Sequence, residues 1–306
     1  MKLPKTVGPW LMRHPTAMRW ALRGYGLSRG TRVVFGHDAI TVARQGRSIR
    51  LNPLFPAYVR DIVDEFDVYF SAVHGGGNEV DYSAPREHHL AGWDLFPSIV
   101  PGLPEPMQTI TQYIDLTGMR AGQSILDLGA YAGITGCAFM EVVGPSGKVV
   151  SVEADPVNLS CARENIDRYA SLRGHCPQLL EGAVWSETGT LEFSAESSLG
   201  SAVSSVLTRS VGKGIQVPSF TLSDIMDKAG LQHVDIIKAD IEGAEFWAFS
   251  DGDFFSKHHP TLIFEPALNS LRETNLEAIS ELLRGYGYSL TLHEQAGSRL
   301  PLVVCV

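Results

Sequence analysis

The chain has no run of about 18 apolar residues free of charge, the length a membrane-spanning helix needs, so no transmembrane segment is expected. Its first residues include no long apolar stretch ending in small residues, and no secretory signal is expected. Cysteine is scarce. Cys137, Cys161, Cys176 and Cys305 form neither a Cys-x-x-Cys pair nor a metal-ligand spacing, which excludes a disulfide framework and a zinc site from the expectation. Three of the four fall in segments that read as helix or strand beside apolar neighbours. They read as small buried hydrophobes in a reducing, cytoplasmic compartment. There is no internal repeat and no compositional bias toward disorder: 44% of residues are hydrophobic and 19% charged. A chain of this length can bury one large core, or a core with an appended region.

Acids are missing from the first 37 residues, which hold Lys2, Lys5, Arg13, Arg19, Arg23, Arg29 and Arg32; Asp38 is the first carboxylate. Subtracting those seven positive charges from the net −9 leaves −16 on the rest of the chain. So acidic a body argues against nucleic acid as a partner, because that affinity rests on neutralising phosphates. No Asn-Pro-Pro-Tyr-type motif of a base methylase is present either. The basic head reads as a solvated helix with Met18, Trp20, Leu22 and Tyr25 packed on the body. Contact with an anionic membrane surface is the less favoured reading. The oligomeric state is not legible.

Residues 1–104 read as an α+β extension. A helix spans Pro15 to Leu27 and ends at Gly24 and Gly26, short strands follow over 32–35, 39–44 and 48–51, and helical spacing covers Tyr58 to Phe70. From 71 to 104 periodicity is lost. That stretch reads as a long lid-like loop with Gly75-Gly76-Gly77 as a hinge, forming part of an acceptor pocket together with 194–215. Residues 105–306 alternate strand and helix. Strands are expected at 124–129, 148–153, 178–184, 234–240 and 261–265, with an inserted antiparallel pair at 190–194 and 215–218. A final antiparallel pair, 288–293 and 300–306, closes the chain at a sheet edge. This pattern is α/β, doubly wound and mostly parallel, with ligands at the strand C-termini.

The chemistry concentrates at those strand ends. Asp127-Leu128-Gly129-Ala130-Tyr131-Ala132-Gly133 sits at a strand-to-helix turn, where glycine lets a ligand approach the backbone. A dinucleotide fingerprint needs a middle glycine for the pyrophosphate, and Tyr131 stands there. Asp127 would repel phosphate and suits an ammonium group. Glu153 ends the next strand, where an acid accepts ribose hydroxyls, with Ala154 beside it. Gly182 and Ala183 leave room for an adenine ring. Lys238, Asp240 and Glu242 alternate at the mouth of the fourth strand, where Lys238 is expected to pair with one of the two acids. That strand should neighbour the first, placing Asp240 beside Asp127 and the cofactor, with Glu242 turned toward the acceptor.

In order, these residues, the segment Thr221-Leu222-Ser223-Asp224 and the run Lys238-Ala239-Asp240-Ile241-Glu242-Gly243-Ala244-Glu245 resemble the FkbM family of class I methyltransferases. The resemblance is firm from about 105 to 265. It implies a seven-stranded sheet with its last strand antiparallel, S-adenosylmethionine as cofactor, and O-methylation of a hydroxyl on a sugar, polysaccharide or natural product. The partner would be a small-molecule or glycan acceptor. Glu265-Pro266-Ala267 departs from a histidine that members often carry near this point. Methyl transfer needs alignment, exclusion of water and a proton acceptor. Glu242, Glu265 and His88 are the base candidates. Three acids at adjacent strand ends are compatible with Mg²⁺, though no spacing demands a metal. The competing readings are an NAD-dependent oxidoreductase, disfavoured by Tyr131, and a non-catalytic nucleoside-binding module of the same fold.

Overall fold

The computed structural model describes residues 14–75, 77–195, 202–203, 213–266, 275–298 and 300–306. Gly76 and most of 194–215, both part of the expected acceptor region, lie outside them.

The helix Pro15–Ser28 continues through both glycines that were expected to end it. Gly26 serves packing instead: a Cβ there would lie 2.7 Å from Val33 Cγ2, so its absence seats the helix on the next strand. Strands β1 (Arg32–Phe35), β2 (Ile40–Arg44) and β3 (Arg47–Leu51) form an antiparallel meander. The expected helix over 58–70 is two helices, Val59–Asp64 and Phe66–Ser71, broken at Glu65. Residues 71–104 are not a lid-like loop. They contain β4 (Val73–His74), β5 (Glu79–Tyr82), β6 (Arg86–Leu90) and β7 (Ser98–Val100). β5 joins β3 in parallel, and β4, β6 and β7 make a separate antiparallel sheet. These strands are two to five residues long and β6 carries Arg86-Glu87-His88-His89, so backbone pairing organises them without an apolar alternation to betray it.

After the helix Met107–Thr117 come β8 (Ser124–Leu128), the helix Ile134–Val143, β9 (Lys148–Glu153), the helix Pro156–Arg173 and β10 (Gln178–Glu181). Next are β11 (Ala183–Val184), β12 (Gly189–Ala195), β13 (Ala202–Val203) and β14 (Lys213–Phe220), a small sheet ordered β11-β14-β12-β13. The helix Leu222–Ala229 opens with a capping box between Thr221 and Asp224. Then follow β15 (Ile236–Ala239), the helices Glu245–Ala248 and Gly252–Lys257, β16 (Thr261–Phe264), the helix Leu276–Gly285, β17 (Leu290–His293) and β18 (Leu302–Cys305).

The main sheet has seven strands in the order β10-β9-β8-β15-β16-β18-β17. All neighbours are parallel except those of β18, which runs against both β16 and β17. The fold is therefore a doubly wound, mostly parallel α/β sheet whose last strand inserts antiparallel. The order reverses between β8 and β15, and the crevice at their C-terminal ends is where such sheets take ligands.

The first hundred residues are joined to this sheet through a continuous core. One apolar cluster runs from Val33, Ile49, Phe66 and Trp93 through Tyr113 and Phe139 to Val304. Asn165, fully buried on the helix Pro156–Arg173, accepts from Ile99 N (2.9 Å) and donates to Ile99 O (2.7 Å) and Ala132 O (2.8 Å). Among the described residues no helix is long and apolar enough to cross a membrane.

Candidate active site

At the end of β8 the amides of Gly129 and Ala130 both donate to Val152 O on β9, at 3.0 Å each. Gly129 is left-handed (φ +79°), and a Cβ on it would lie 1.9 Å from the carbonyl oxygen of Asp240. Only glycine lets the ends of β8 and β15 come this close. Tyr131 also has positive φ (49°). Its amide donates to Glu153 Oε2 (2.7 Å), and its buried hydroxyl donates to Leu103 O (2.9 Å). The residue that breaks the dinucleotide fingerprint thus ties the turn to the segment before Met107.

Glu153 receives three backbone amides: Tyr131 N on one oxygen, and Ala154 N (2.9 Å) and Asp155 N (2.8 Å) on the other. Burial pushes its carboxyl up to about 7, with the amides opposing. A carboxylate offers about four acceptor positions, so one remains for a ligand hydroxyl. Asp155 caps the next helix through Val157 N (2.8 Å) and Asn158 N (3.2 Å).

A cleft of about 550 Å³, its open mouth included, brings together Gly129, Tyr131, Glu153, Ala154, Gly182, Ala183, Asp240 and Glu242. Ala130 and Gly133 shape the turn behind it. Asn158 and Phe193 also line it. Neither was singled out in the sequence, where Asn158 reads as a helix residue and Phe193 as one member of an inserted hairpin. The small sheet matters here because β11 and β12 carry Ala183 and Phe193 to the wall.

Three expected site residues lie elsewhere. Asp127 is fully buried and outside the cleft lining. It accepts from Ser151 Oγ (2.9 Å) and faces Lys238 Nζ at 3.4 Å, so its charge is already matched and it is not placed to meet a ligand ammonium. Lys238 accordingly pairs across the strands with Asp127, not with Asp240 or Glu242, because β8 and β15 align Asp127 with Lys238 in register. Its ammonium also donates to Gly129 O (2.8 Å). Burial alone would lower the Lys238 pKa, but Asp127 reverses this and the shift is upward. His88 does not line the cleft. It lies on β6 against the Tyr82 ring (5.3 Å between centroids), and burial lowers its pKa. No described residue of 71–104 lines the cleft.

Glu265 also stands off the lining, at the end of β16, one step beyond the Ala239–Phe264 register pair. It accepts from Ser298 Oγ (3.3 Å), and its carboxyl is raised by burial and then by the charge of Asp240. Burial raises Asp240 too, while Lys238 opposes and Glu105 adds to the rise. Glu105 accepts from Thr135 Oγ1 (2.7 Å) and went unnoticed in the sequence, since an acid before a helix has an ordinary structural explanation. Glu242 has φ +51°, a costly conformation for a non-glycine residue, held at the cleft wall. The fully buried Glu245 holds that turn, accepting from Ile241 N (3.3 Å), Gly243 N (3.2 Å) and Asn275 Nδ2 (3.3 Å). Burial pushes it up to about 7. Among the described residues no three His, Cys, Asp or Glu side chains are grouped to hold a metal. Cys137, Cys161 and Cys305 are buried free thiols, and Cys176 is exposed.

A family model for the methyltransferase FkbM domain matches residues 127–290. A protein-L-isoaspartate O-methyltransferase from Methanothrix thermoacetophila is 37% identical over 59 residues, which are 19% of this chain and 28% of that protein. The crystal structure of methyltransferase FkbM from Methylobacillus flagellatus superposes with a TM-score of 0.45 at 19% identity, covering 60% of this chain and 43% of that one. Aeropyrum pernix fibrillarin with natively bound S-adenosyl-L-methionine gives a TM-score of 0.41 at 13% identity, covering 90% of this chain and 97% of that one.

Proposed function

The chain belongs to the FkbM methyltransferase family, and on that premise we propose that it is an S-adenosylmethionine-dependent methyltransferase acting on a hydroxyl of a small-molecule or glycan acceptor. The observation that carries this reading is the cleft itself. It sets one acceptor position of Glu153, the bare backbone of Gly129 and the small residues Gly182 and Ala183 around a space of nucleoside size. Under this reading Glu153 takes a ribose hydroxyl, Ala183 and Phe193 flank the adenine, and Asp240 faces the methionine end. The Tyr131 ties leave no flexible glycine loop for a diphosphate, which counts against NAD.

When bound, S-adenosylmethionine supplies an electrophilic methyl group on a sulfonium. The methyl would pass to the acceptor oxygen with its C–S bonding pair left on sulfur, and the part left to the chain's own residues is to align the hydroxyl and accept its proton. Glu242 is the proposed base, because it lines the cleft at the turn where β15 has ended. Glu265 is the reserve candidate. We assign residues 105–306 to cofactor binding and chemistry, and residues 1–104 to supporting the turn through Leu103 and Ile99. Calorimetry with S-adenosylhomocysteine and with NADH tests the cofactor: binding of the first alone is expected, and binding of NADH alone overturns the proposal. Transfer of labelled methyl to hydroxylated glycans or natural products, with loss of label on blocking the hydroxyl, tests the O-specificity.

A further inference from the structure

The helix Pro15–Ser28 has a solvent face that the methyl-transfer reading does not use. Trp20 is 66% exposed and Leu27 70% exposed. They stand seven residues apart and so share one face. This corrects the expectation that Trp20 packs on the body: Met18 and Gly26 make the buried contacts of this helix. Arginines border the exposed apolar pair. Arg23 lies over the Trp20 ring at 5.5 Å and over Phe35 at 5.6 Å, and Arg19 lies over Phe35 at 5.6 Å. Asp64 holds Arg29 at 3.3 Å. Among the described residues no carboxylate pairs with Arg19, Arg23 or Arg32.

We propose that this face docks the protein on an anionic lipid surface. Two features point to a bilayer. The first is charge: the chain's first 37 residues hold seven positive groups and no carboxylate, while the rest carries a net −16. An anionic surface therefore attracts this face and repels the body, which orients the molecule. The second is the outward tryptophan and leucine between the arginines. An indole and an aliphatic side chain settle at the boundary of headgroups and acyl chains while the guanidinium groups reach the phosphates. A second copy joined through the same face would set Arg19 and Arg23 against their counterparts, and among the described residues no carboxylate pairs with either. The proposal does not rest on the methyl-transfer reading.

The test is cosedimentation of the full chain with vesicles of phosphatidylcholine alone, or of phosphatidylcholine with phosphatidylglycerol. Binding to the anionic vesicles only is expected, weakening as salt rises. Arg19→Gln with Arg23→Gln should lower partitioning about 25-fold, at about fivefold per positive charge removed. Trp20→Ser with Leu27→Ser should lower it about tenfold. These side chains lie on the exposed face, so both variants should melt with the parent, and a melting scan checks this. Equal binding to neutral and anionic vesicles, no binding to either, or folded variants that bind like the parent overturns the proposal. So does concentration-dependent dimerisation that the Trp20 and Leu27 changes abolish without any vesicle binding, which would assign the face to a second copy.

Discussion

The two walls of the cleft handle buried charge in opposite ways. On the β8–β9 wall, Glu153 sits among three amides of its own and the neighbouring turn, so its geometry is fixed before any ligand arrives. On the β15 side, Asp240 lines the cleft and Glu265 lies off the lining on the adjacent strand end, both carboxyls raised by burial, with the charge of Glu105 adding to the rise. The nearby cation, Lys238, is committed across the sheet to Asp127. On the proposed reading, the first wall receives a hydroxyl. The second keeps carboxyl groups close to the range where they exchange protons, which suits chemistry. Glu245 lies behind the second wall but resembles Glu153 in bonding: it is a buried carboxyl fastened to the backbone of the turn that carries Glu242.

The contrast is sharpest for turnover. Glu242→Gln is expected to lower the rate by ~10²–10⁴-fold, the range of a lost general base, while leaving cofactor affinity unchanged. Single-turnover kinetics beside calorimetry separates the two, and normal turnover in a folded variant moves the base to Glu265. Next is the cation between the walls. Lys238→Met leaves Asp127 buried without its ion partner and should cost about 3–5 kcal/mol of stability. Asp127→Asn in the same chain should recover part of that loss. Denaturant unfolding checks both, and a single variant as stable as the parent would mean that Lys238 and Asp127 are not paired in solution.

Glu153→Ala probes the receiving wall. It should weaken S-adenosylhomocysteine binding by about 1.5–3 kcal/mol, the scale of a hydrogen bond to a charged group. An unchanged dissociation constant would move the ribose contact elsewhere. The smallest expected effect concerns pH. Glu153 and Glu245 titrate near 7 when folded, against an ordinary value of 4.5. The folded state therefore holds more protons between those values, and stability is lost as pH rises through that window. The ligand-free protein should lose on the order of 1–3 kcal/mol between pH 5 and pH 7. Glu245→Gln should flatten the curve, and a melting temperature that climbs over this range would contradict the assignment.

The sequence by itself determined the main sheet. The apolar runs at 124–129, 148–153, 234–240 and 261–265 are long enough, and regularly enough separated by helical spacing, to specify parallel strands. The missing helix between the last two strands specified an antiparallel pair. It also marked Gly129, Glu153 and Asp240, because glycine and acids at strand ends have few other reasons to recur in that order. Tertiary structure decided which charges meet. Asp127 and Lys238 are 111 residues apart, and only the register of β8 against β15 pairs them, which turns a presumed ligand contact into an internal ion pair. It also decided the fate of 71–104, where strands of two to five residues pair through backbone hydrogen bonds that leave no side-chain period to read. Gly26 shows the same division at the scale of one residue. Its identity suggests a helix end, while the Val33 side chain 2.7 Å from where its Cβ would be makes it a packing contact.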